Sequence, residues 1–570
     1  MVLVGGGRSL CILDTTMAAP MDAVEDVPGT EYLVDVRHNM DVSHAGADII
    51  LLPQPTPCAG DPLNWSRFKK YYQLFLLSLY ACSFSYGENV LGAAWTTVST
   101  DTGVSLTNMN GGSALNYLLL GFVNIFWIPA CMKIGRRPVL LITTALTLGS
   151  ALWTGFFHGT VQWMFSMVLG GSGTSAYEAV IQLCVFDMFF VHQRGRGLAV
   201  YLFGQQLGSI LGLITGGSIA DSLGWRWAQY ISAIINGGVL LLLLLSFEET
   251  MFPRFLFSSQ GRVPPPVISA TTTSPLPSPA KPHGADSKSP RASSSSTSAD
   301  VEVDAATAMP HIPKRTALQK LQLWTCCKED TTSYWDYFKR PFLLFAAPNI
   351  VIPGLIFAFG CTAGIVSFNT ISEIMTAPPY NWSTTSTGLI FLAALVGNGI
   401  GWLVAGPLAD ALVLRLARRN AGLKEPEMRL WALAPCCVLA AAGYLLYGWG
   451  AQRGVHWSAI AVGLAAMIAH QVGACGVATA YAMDCFGGVG GELVVVLAIC
   501  SSVVNFAISY AVQPFVEAAG YGWTFTFFGG CVVLSLVGGG VLGWRGKRLR
   551  RAWRGRYWRL VGEREKARGV

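Results

Sequence analysis

From Gly454 to Trp544 the chain reads GVHWSAIAVGLAAMIAHQVGACGVATAYAMDCFGGVGGELVVVLAICSSVVNFAISYAVQPFVEAAGYGWTFTFFGGCVVLSLVGGGVLGW, without one Lys or Arg. A helix crosses the hydrocarbon core in about 20 residues, so this run holds three crossings. Further windows free of Lys and Arg run from Tyr71 to Met132, Pro138 to Gln193, Gly197 to Trp225, Trp227 to Pro253, Pro341 to Leu414 and Leu430 to Gln452. Charged residues make up 12% of the chain, about half the roughly 25% of soluble domains, and mean hydropathy is +0.46. A soluble core needs no such lengths without Lys or Arg. The solvent of this chain is a bilayer.

Apolar runs and turn signals place six spans near 71–97, 112–132, 138–157, 161–189, 197–220 and 227–247. Six more fall near 342–372, 385–410, 430–449, 456–483, 489–516 and 523–544. The expected fold is therefore all-α integral membrane, with twelve transmembrane helices in two six-helix bundles. Expected boundaries are a largely disordered tail at 1–66, a first bundle at 67–253, a linker at 254–339, a second bundle at 340–544 and a basic tail at 545–570. The linker centre is rich in Ser, Pro, Thr and Ala and lacks the apolar surface to fold. Tyr334, Trp335, Tyr337 and Phe338 form an amphipathic stretch expected at the membrane surface.

Positive charge sets the orientation. Arg67, Lys69, Lys70, Lys133, Arg136, Arg137, Arg194, Arg196, Arg415, Arg418, Arg419, Lys424, Arg429 and the tail fall on one side, and the other side keeps only Arg226 and Arg453. That bias predicts both termini in the cytoplasm. The first 65 residues lack the pattern of a secretory signal, which leaves the first span as the insertion signal. Asn381–Trp382–Ser383 then lies outside, where glycosylation is possible, and Asn64–Trp65–Ser66 lies inside. The net charge of +7 is less than the tail's own +9, from eleven Lys/Arg against two Glu after Trp544. That tail reads either as an anchor to anionic lipid or as a topology signal, and not as a nucleic-acid site. The 14 cysteines show no metal or disulfide spacing; Cys326 and Cys327 are weak palmitoylation candidates. No GxxxxGK[ST] run, nucleophile elbow or zinc motif is present, so no nucleotide, cofactor, metal or enzymatic role is expected.

After span two the chain reads Lys133–Ile134–Gly135–Arg136–Arg137–Pro138. After span eight it reads Gly406–Pro407–Leu408–Ala409–Asp410, followed by Arg415, Arg418 and Arg419. These resemble the two copies of the signature loop of the major facilitator superfamily, over roughly Asp61 to Trp544. Met132 stands where the first copy has an acid. Span five carries Gly204, Gly208, Gly212, Gly216 and Gly217, resembling the antiporter motif of the drug:proton branch, although Leu213 replaces its proline. The alternative for this stripe is close helix packing alone. Asp61–Pro62–Leu63–Asn64–Trp65–Ser66, Gly224–Trp225–Arg226–Trp227 and Glu248 to Arg254 look like the fungal twelve-span members of that branch. Met167 lies nearest to the basic residue usual early in span four.

The resemblance implies that the signature loops latch helices at the cytoplasmic side. Asp187 is the candidate partner of Arg136 or Arg137, and Asp484 that of Arg415 or Arg418; the alternative is a static charge pair. Spans one, four, seven and ten would line a central cavity. Ionisable residues inside spans are costly, which makes Glu88 and Glu178 the first candidates for binding a cation or proton. Glu178 shares a helical stripe with Thr174 and Gln182, and Glu88 one with Ser85, Gly92 and Trp95. Further lining candidates are Asn116, Gln205, Gln206, Asn369, Asn398, His470, Gln471, Asn505 and Gln513; a lone His such as His470 is more often a satisfied core group. The expected function is a proton-linked carrier of a cationic or amphipathic small molecule in the plasma membrane, working by alternating access with efflux favoured over uptake. Its partners would be the substrate, protons and the bilayer. The rival is a non-transporting sensor on the same scaffold.

Overall fold

The run without Lys or Arg from Gly454 onward is helix almost throughout, and so are the other apolar windows. The computed structural model describes residues 27–34, 44–45, 49–53, 55–58, 60–254 and 333–567. The linker centre, Cys326 and Cys327, and most of the amino-terminal tail lie outside the described residues.

The first half holds α1 (Arg67–Asn89), α2 (Trp95–Thr102), α3 (Leu106–Phe122), α4 (Asn124–Ile134), α5 (Arg136–Phe156), α6 (Gly159–Met188), α7 (Arg194–Ser222) and α8 (Trp225–Ser246). After α9 (Tyr334–Leu344) come α10 (Pro348–Thr376), α11 (Thr384–Leu389), α12 (Phe391–Leu403), α13 (Ala409–Arg419), α14 (Leu433–Arg453), α15 (Trp457–Cys485) and α16 (Gly490–Ala567). Among the described residues, nine segments are long and apolar enough to cross a membrane. α1, which starts with Arg67, Lys69 and Lys70, and α6, rich in Gly, Ser and Thr, have spanning length with lower apolarity. α16 contains two rods, because Gly520 breaks the helix with φ 77° and ψ 169°. Read in this way, the helices accommodate the twelve crossings expected.

Packing repeats between the halves. α1 lies against α7, α6 against α3 and α5, and α5 against α8; likewise α10 lies against α16, α15 against α12 and α14, and α14 against α16. Two seams join the halves: α3 to the first rod of α16, and α7 to α12. The glycine stripe of α7 explains its grip on α1. A Cβ on Gly204, Gly208, Gly212 or Gly216 would stand 2.9, 2.0, 2.7 or 1.9 Å from the carbonyl oxygens of Ser78, Cys82, Tyr86 and Val90. Gly217 is buried beside them.

Span one departs from the continuous helix expected over 71–97. α1 ends at Asn89, a short 3-10 turn covers Gly92–Ala94, and α2 resumes at Trp95. The amphipathic stretch before span seven forms α9, whose Tyr334 hydroxyl donates to the Phe126 carbonyl (2.9 Å) while Phe338 packs on Phe126.

All of the basic loops gather at one end, with both the first and the last described residues. β1 (Glu31–Tyr32) pairs antiparallel with residues Leu423–Lys424, Leu33 and Val34 are buried against Val191, Val413 and Ala417, and Arg550 donates to Thr30 Oγ1 (3.0 Å). At the opposite end Asn381 is exposed in a turn with φ 51°, a left-handed conformation that Asn tolerates. There Trp225 Nε1 (2.9 Å) and Arg226 (2.8 Å) donate to Asp101. These bonds hold the Asp101 carboxyl below the ordinary 3.8, the Trp225 bond most strongly. Such a group stabilises the fold above the ordinary carboxylate range, and that contribution is lost as pH falls through the lowered value. Acid titration of intrinsic fluorescence is expected to show a Trp225 transition that Asp101→Asn removes.

Candidate functional site

Two clusters of buried charge and polarity mark the molecule, one at the basic end and one at mid-membrane. At the basic end the first signature loop turns at Gly135, where φ is 113° and a Cβ would stand 2.4 Å from Glu249 Oε2. Only glycine fits there. Glu249 accepts from the amides of Arg136 and Arg137, both at 3.0 Å, capping the start of α5. Arg136 pairs with Asp187 at 3.2 Å, whereas Arg137 donates to the Leu244 carbonyl. Asp61 and Arg254, both in stretches singled out by sequence, pair at 2.8 Å and tie the entry of α1 to the exit of α8.

The second copy differs from expectation. Asp484 pairs with Arg429 (3.2 Å) and Lys424 (2.9 Å), not with Arg415 or Arg418. α13 buries Asp410, Val413 and Ala417 on one face, which turns Arg415 and Arg418 outward to exposed positions. Arg429, 1% exposed, also pairs with Asp410 at 3.0 Å. Asp410 in turn accepts from the Arg196 amide (3.1 Å) at the start of α7, across the seam between the halves. Burial pulls the Lys424 ammonium below its ordinary value, opposed by Asp484. Sequence reasoning placed Arg429 among the basic residues but gave it no role. Its signal was positional: it precedes span nine as Arg136 precedes span three. Where the first copy lacks its acid, Met132 packs 3.4 Å from the Cβ position of Gly491. One seam is thus bridged by Asp410, while at Met132 the contact with the start of α16 is apolar.

At mid-membrane, Glu178 on α6 is buried, and its Oε2 has no hydrogen-bond partner. One turn away, Thr174 lies within hydrogen-bonding reach of Glu88, so the two carboxyls stand in one electrostatic neighbourhood. Glu88 sits deep in the fold yet is exposed, because it opens onto a cavity of about 80 Å³. Those walls come from α1, α2, α3, α5, α6 and α8 and include Asn116, Trp95 and Met167; among the described residues no second-half side chain lines them. Glu88 therefore faces a space inside the first bundle. Glu178 instead neighbours Tyr201 on α7 and Cys475 on α15, at the junction of the halves.

The other candidates divide. Gln182 Nε2 donates to the Tyr201 hydroxyl (3.1 Å) and Gln205 Nε2 to that of Tyr177 (2.9 Å), which frames Glu178 with amides and phenols. Gln206 is buried with Nε2 unpartnered, His470 is fully buried with both ring nitrogens unpartnered, and Gln471 Oε1 is unpartnered beside Gly364. Asn398 donates to the Phe203 carbonyl (3.0 Å) and so clips α12 to α7. Asn505 donates to Ser501 (3.1 Å), Gln513 is half-buried and Asn369 is exposed. Buried polar atoms without partners are rare in settled cores. Glu178 Oε2 and Gln182 Oε1, one turn apart on α6, are two of them.

Two bundles joined along two seams, with unpartnered polar groups at mid-membrane, describe a membrane carrier. The Major Facilitator Superfamily profile matches residues 77–487, and the chain belongs to that superfamily. It is 26% identical over 548 residues to an uncharacterized MFS-type transporter of Schizosaccharomyces pombe, covering 93% of this chain and 94% of that one. It is 29% identical to Protein HOL1 of Saccharomyces cerevisiae, covering 81% and 82%. The MFS antiporter QDR3 of Candida albicans is 22% identical, covering 86% and 79%. Among solved structures, the proton:xylose symporter XylE shares the fold with a TM-score of 0.54 at 15% identity, covering 83% of this chain and 95% of that one.

Proposed function

We propose that this protein is a proton-linked secondary transporter of a cationic or amphipathic small molecule, working by alternating access with efflux favoured. The observation that supports this reading is the Glu88–Glu178 pair, two mid-membrane carboxyls near amide–phenol pairs, with Glu178 Oε2 and Gln182 Oε1 unpartnered. A cationic substrate and a proton would compete for this pair, so that loading one releases the other. The charge networks of Arg136–Asp187 and Asp410–Arg429–Asp484 would act as the gate, opening when the bundles rock apart at the basic end. The positive-inside bias supports a cytoplasmic position for that end, and hence cytoplasmic termini; the membrane we assign is the plasma membrane. QDR3's description as an antiporter supports exchange over symport. Coupled uptake is the second reading, favoured by Leu213 at the motif's proline position.

The test is flux of a panel of lipophilic and hydrophilic cations in proteoliposomes under an imposed pH gradient. Gradient-dependent flux is expected for the wild type, with a loss of about tenfold or more in Glu178→Gln. Flux of any such cation that ignores both the gradient and the substitution would overturn the reading.

A further inference from the structure

Residues 27–34 precede both bundles in the chain, yet they pack against parts of each. β1 pairs with Leu423 and Lys424 of the second half, and the amides of Leu33 (2.9 Å) and Val34 (3.2 Å) donate to the Gly422 carbonyl. Leu33 and Val34 are fully buried. They share one apolar cluster with Val191, in the turn between α6 and α7 of the first half, and with Val413 and Ala417 on α13 of the second. Upstream, Gly29 has φ 80°, and a Cβ there would stand 2.4 Å from the Asp484 carbonyl oxygen. A side chain would hold the segment off α15 at this point. Arg550, also fully buried, donates to the Pro28 carbonyl and to Thr30 Oγ1 (3.0 Å) while it grips the Glu427 carboxylate with two bonds (2.9 and 2.6 Å).

All of these contacts lie at the basic end, where Asp410 bridges the seam. A cavity of about 540 Å³ lies there too, and its walls combine residues 27–31 with Met132 and Asp187 of the first half and Met483 and Asp484 of the second. Apolar contact fades within about an ångström of separation. Leu33 and Val34 can therefore touch Val191 and Val413 together only while the halves keep this spacing. When the halves part, apolar surface returns to water, and that opposes the parting.

We propose that residues 27–34 are a strap that holds the two halves together at the basic end and lifts off before that end opens. The strap adds its burial to the closed arrangement alone, so its release shifts the balance toward the arrangement open at the basic end. This deepens the rocking-bundle reading on which it rests: a segment outside both bundles reinforces the charge networks of the gate.

The experiment is hydrogen exchange of the purified full-length chain, resolved to single amides. The Arg196 amide donates to Asp410 across the seam (3.1 Å), not to the strap, so its exchange reports whether the basic end is closed. Leu33→Asp places a carboxylate in the apolar cluster, and Gly29→Val drives a side chain into the α15 backbone. In both, the Arg196 and Val34 amides are expected to exchange about tenfold faster or more. The amides of Arg136 and Arg137, bonded to Glu249 within the first half, are expected to keep their rates, as are the helical amides of 413–419 on α13. An unchanged Arg196 rate in either folded variant overturns the proposal. So does an equal rise at Arg136, Arg137 and α13, which marks general loosening. Where Leu33→Asp does not fold, Gly29→Val decides. A rise at Arg196 without cation flux in proteoliposomes keeps the strap and removes the transporter reading; flux with Arg196 unchanged in the variants does the reverse.

Discussion

Replacing Arg429 by Met is expected to destabilise the folded protein by about 3–5 kcal/mol, the cost of leaving buried carboxylates without their cation. Arg429 is 1% exposed and holds Asp410 at 3.0 Å and Asp484 at 3.2 Å. Without it Asp410 keeps the Arg196 amide, and Asp484 keeps Lys424. The check is the unfolding temperature of purified protein in detergent. Adding Asp410→Asn to the Met variant is expected to recover part of the loss, because a neutral amide leaves no unpaired charge. Arg415→Met, at an exposed position, is expected to change stability by less than about 0.5 kcal/mol. Equal effects at the two positions would remove the network's claim to hold the basic end.

The second large effect is expected on α7. A Cβ at Gly216 would stand 1.9 Å from the Val90 carbonyl oxygen, and one at Gly208 2.0 Å from that of Cys82. Backbone cannot yield as a flexible side chain does, so Gly208→Val or Gly216→Val must push α7 off α1. The cost is expected to be about 3 kcal/mol or more, at the upper end of overpacking, and to show as loss of folded protein on size-exclusion chromatography. Gly237→Ala on α8, with nothing near its Cβ position, is the control and should leave the profile unchanged.

Much of this architecture was legible because a bilayer imposes a length and a polarity on every crossing. The helices of the Gly454 run and the Gly135 loop follow from that constraint and from backbone sterics. What escaped was set by tertiary geometry. α1 stops at Asn89, and nothing in its periodicity announces the turn before Trp95. Asp484 chose Arg429 and Lys424 because α13 rolls Arg415 and Arg418 outward, which depends on the phase of a helix not expected to continue past Asp410. The strand pairing of Glu31 and Tyr32 with Lys424 and Leu423 joins segments far apart in the chain, beyond any local pattern. For the candidate site, Glu88 and Glu178 were found as carboxyls in apolar helices, but only packing separates the first-bundle cavity from the junction of the halves.

The central claim is that substrate and proton compete for this carboxyl pair. Proton release on substrate binding, measured with purified protein in weakly buffered solution, tests it most directly. Wild type is expected to release protons in proportion to bound substrate, and the Glu88→Gln, Glu178→Gln double variant to release none. Equal release from both proteins would contradict the account.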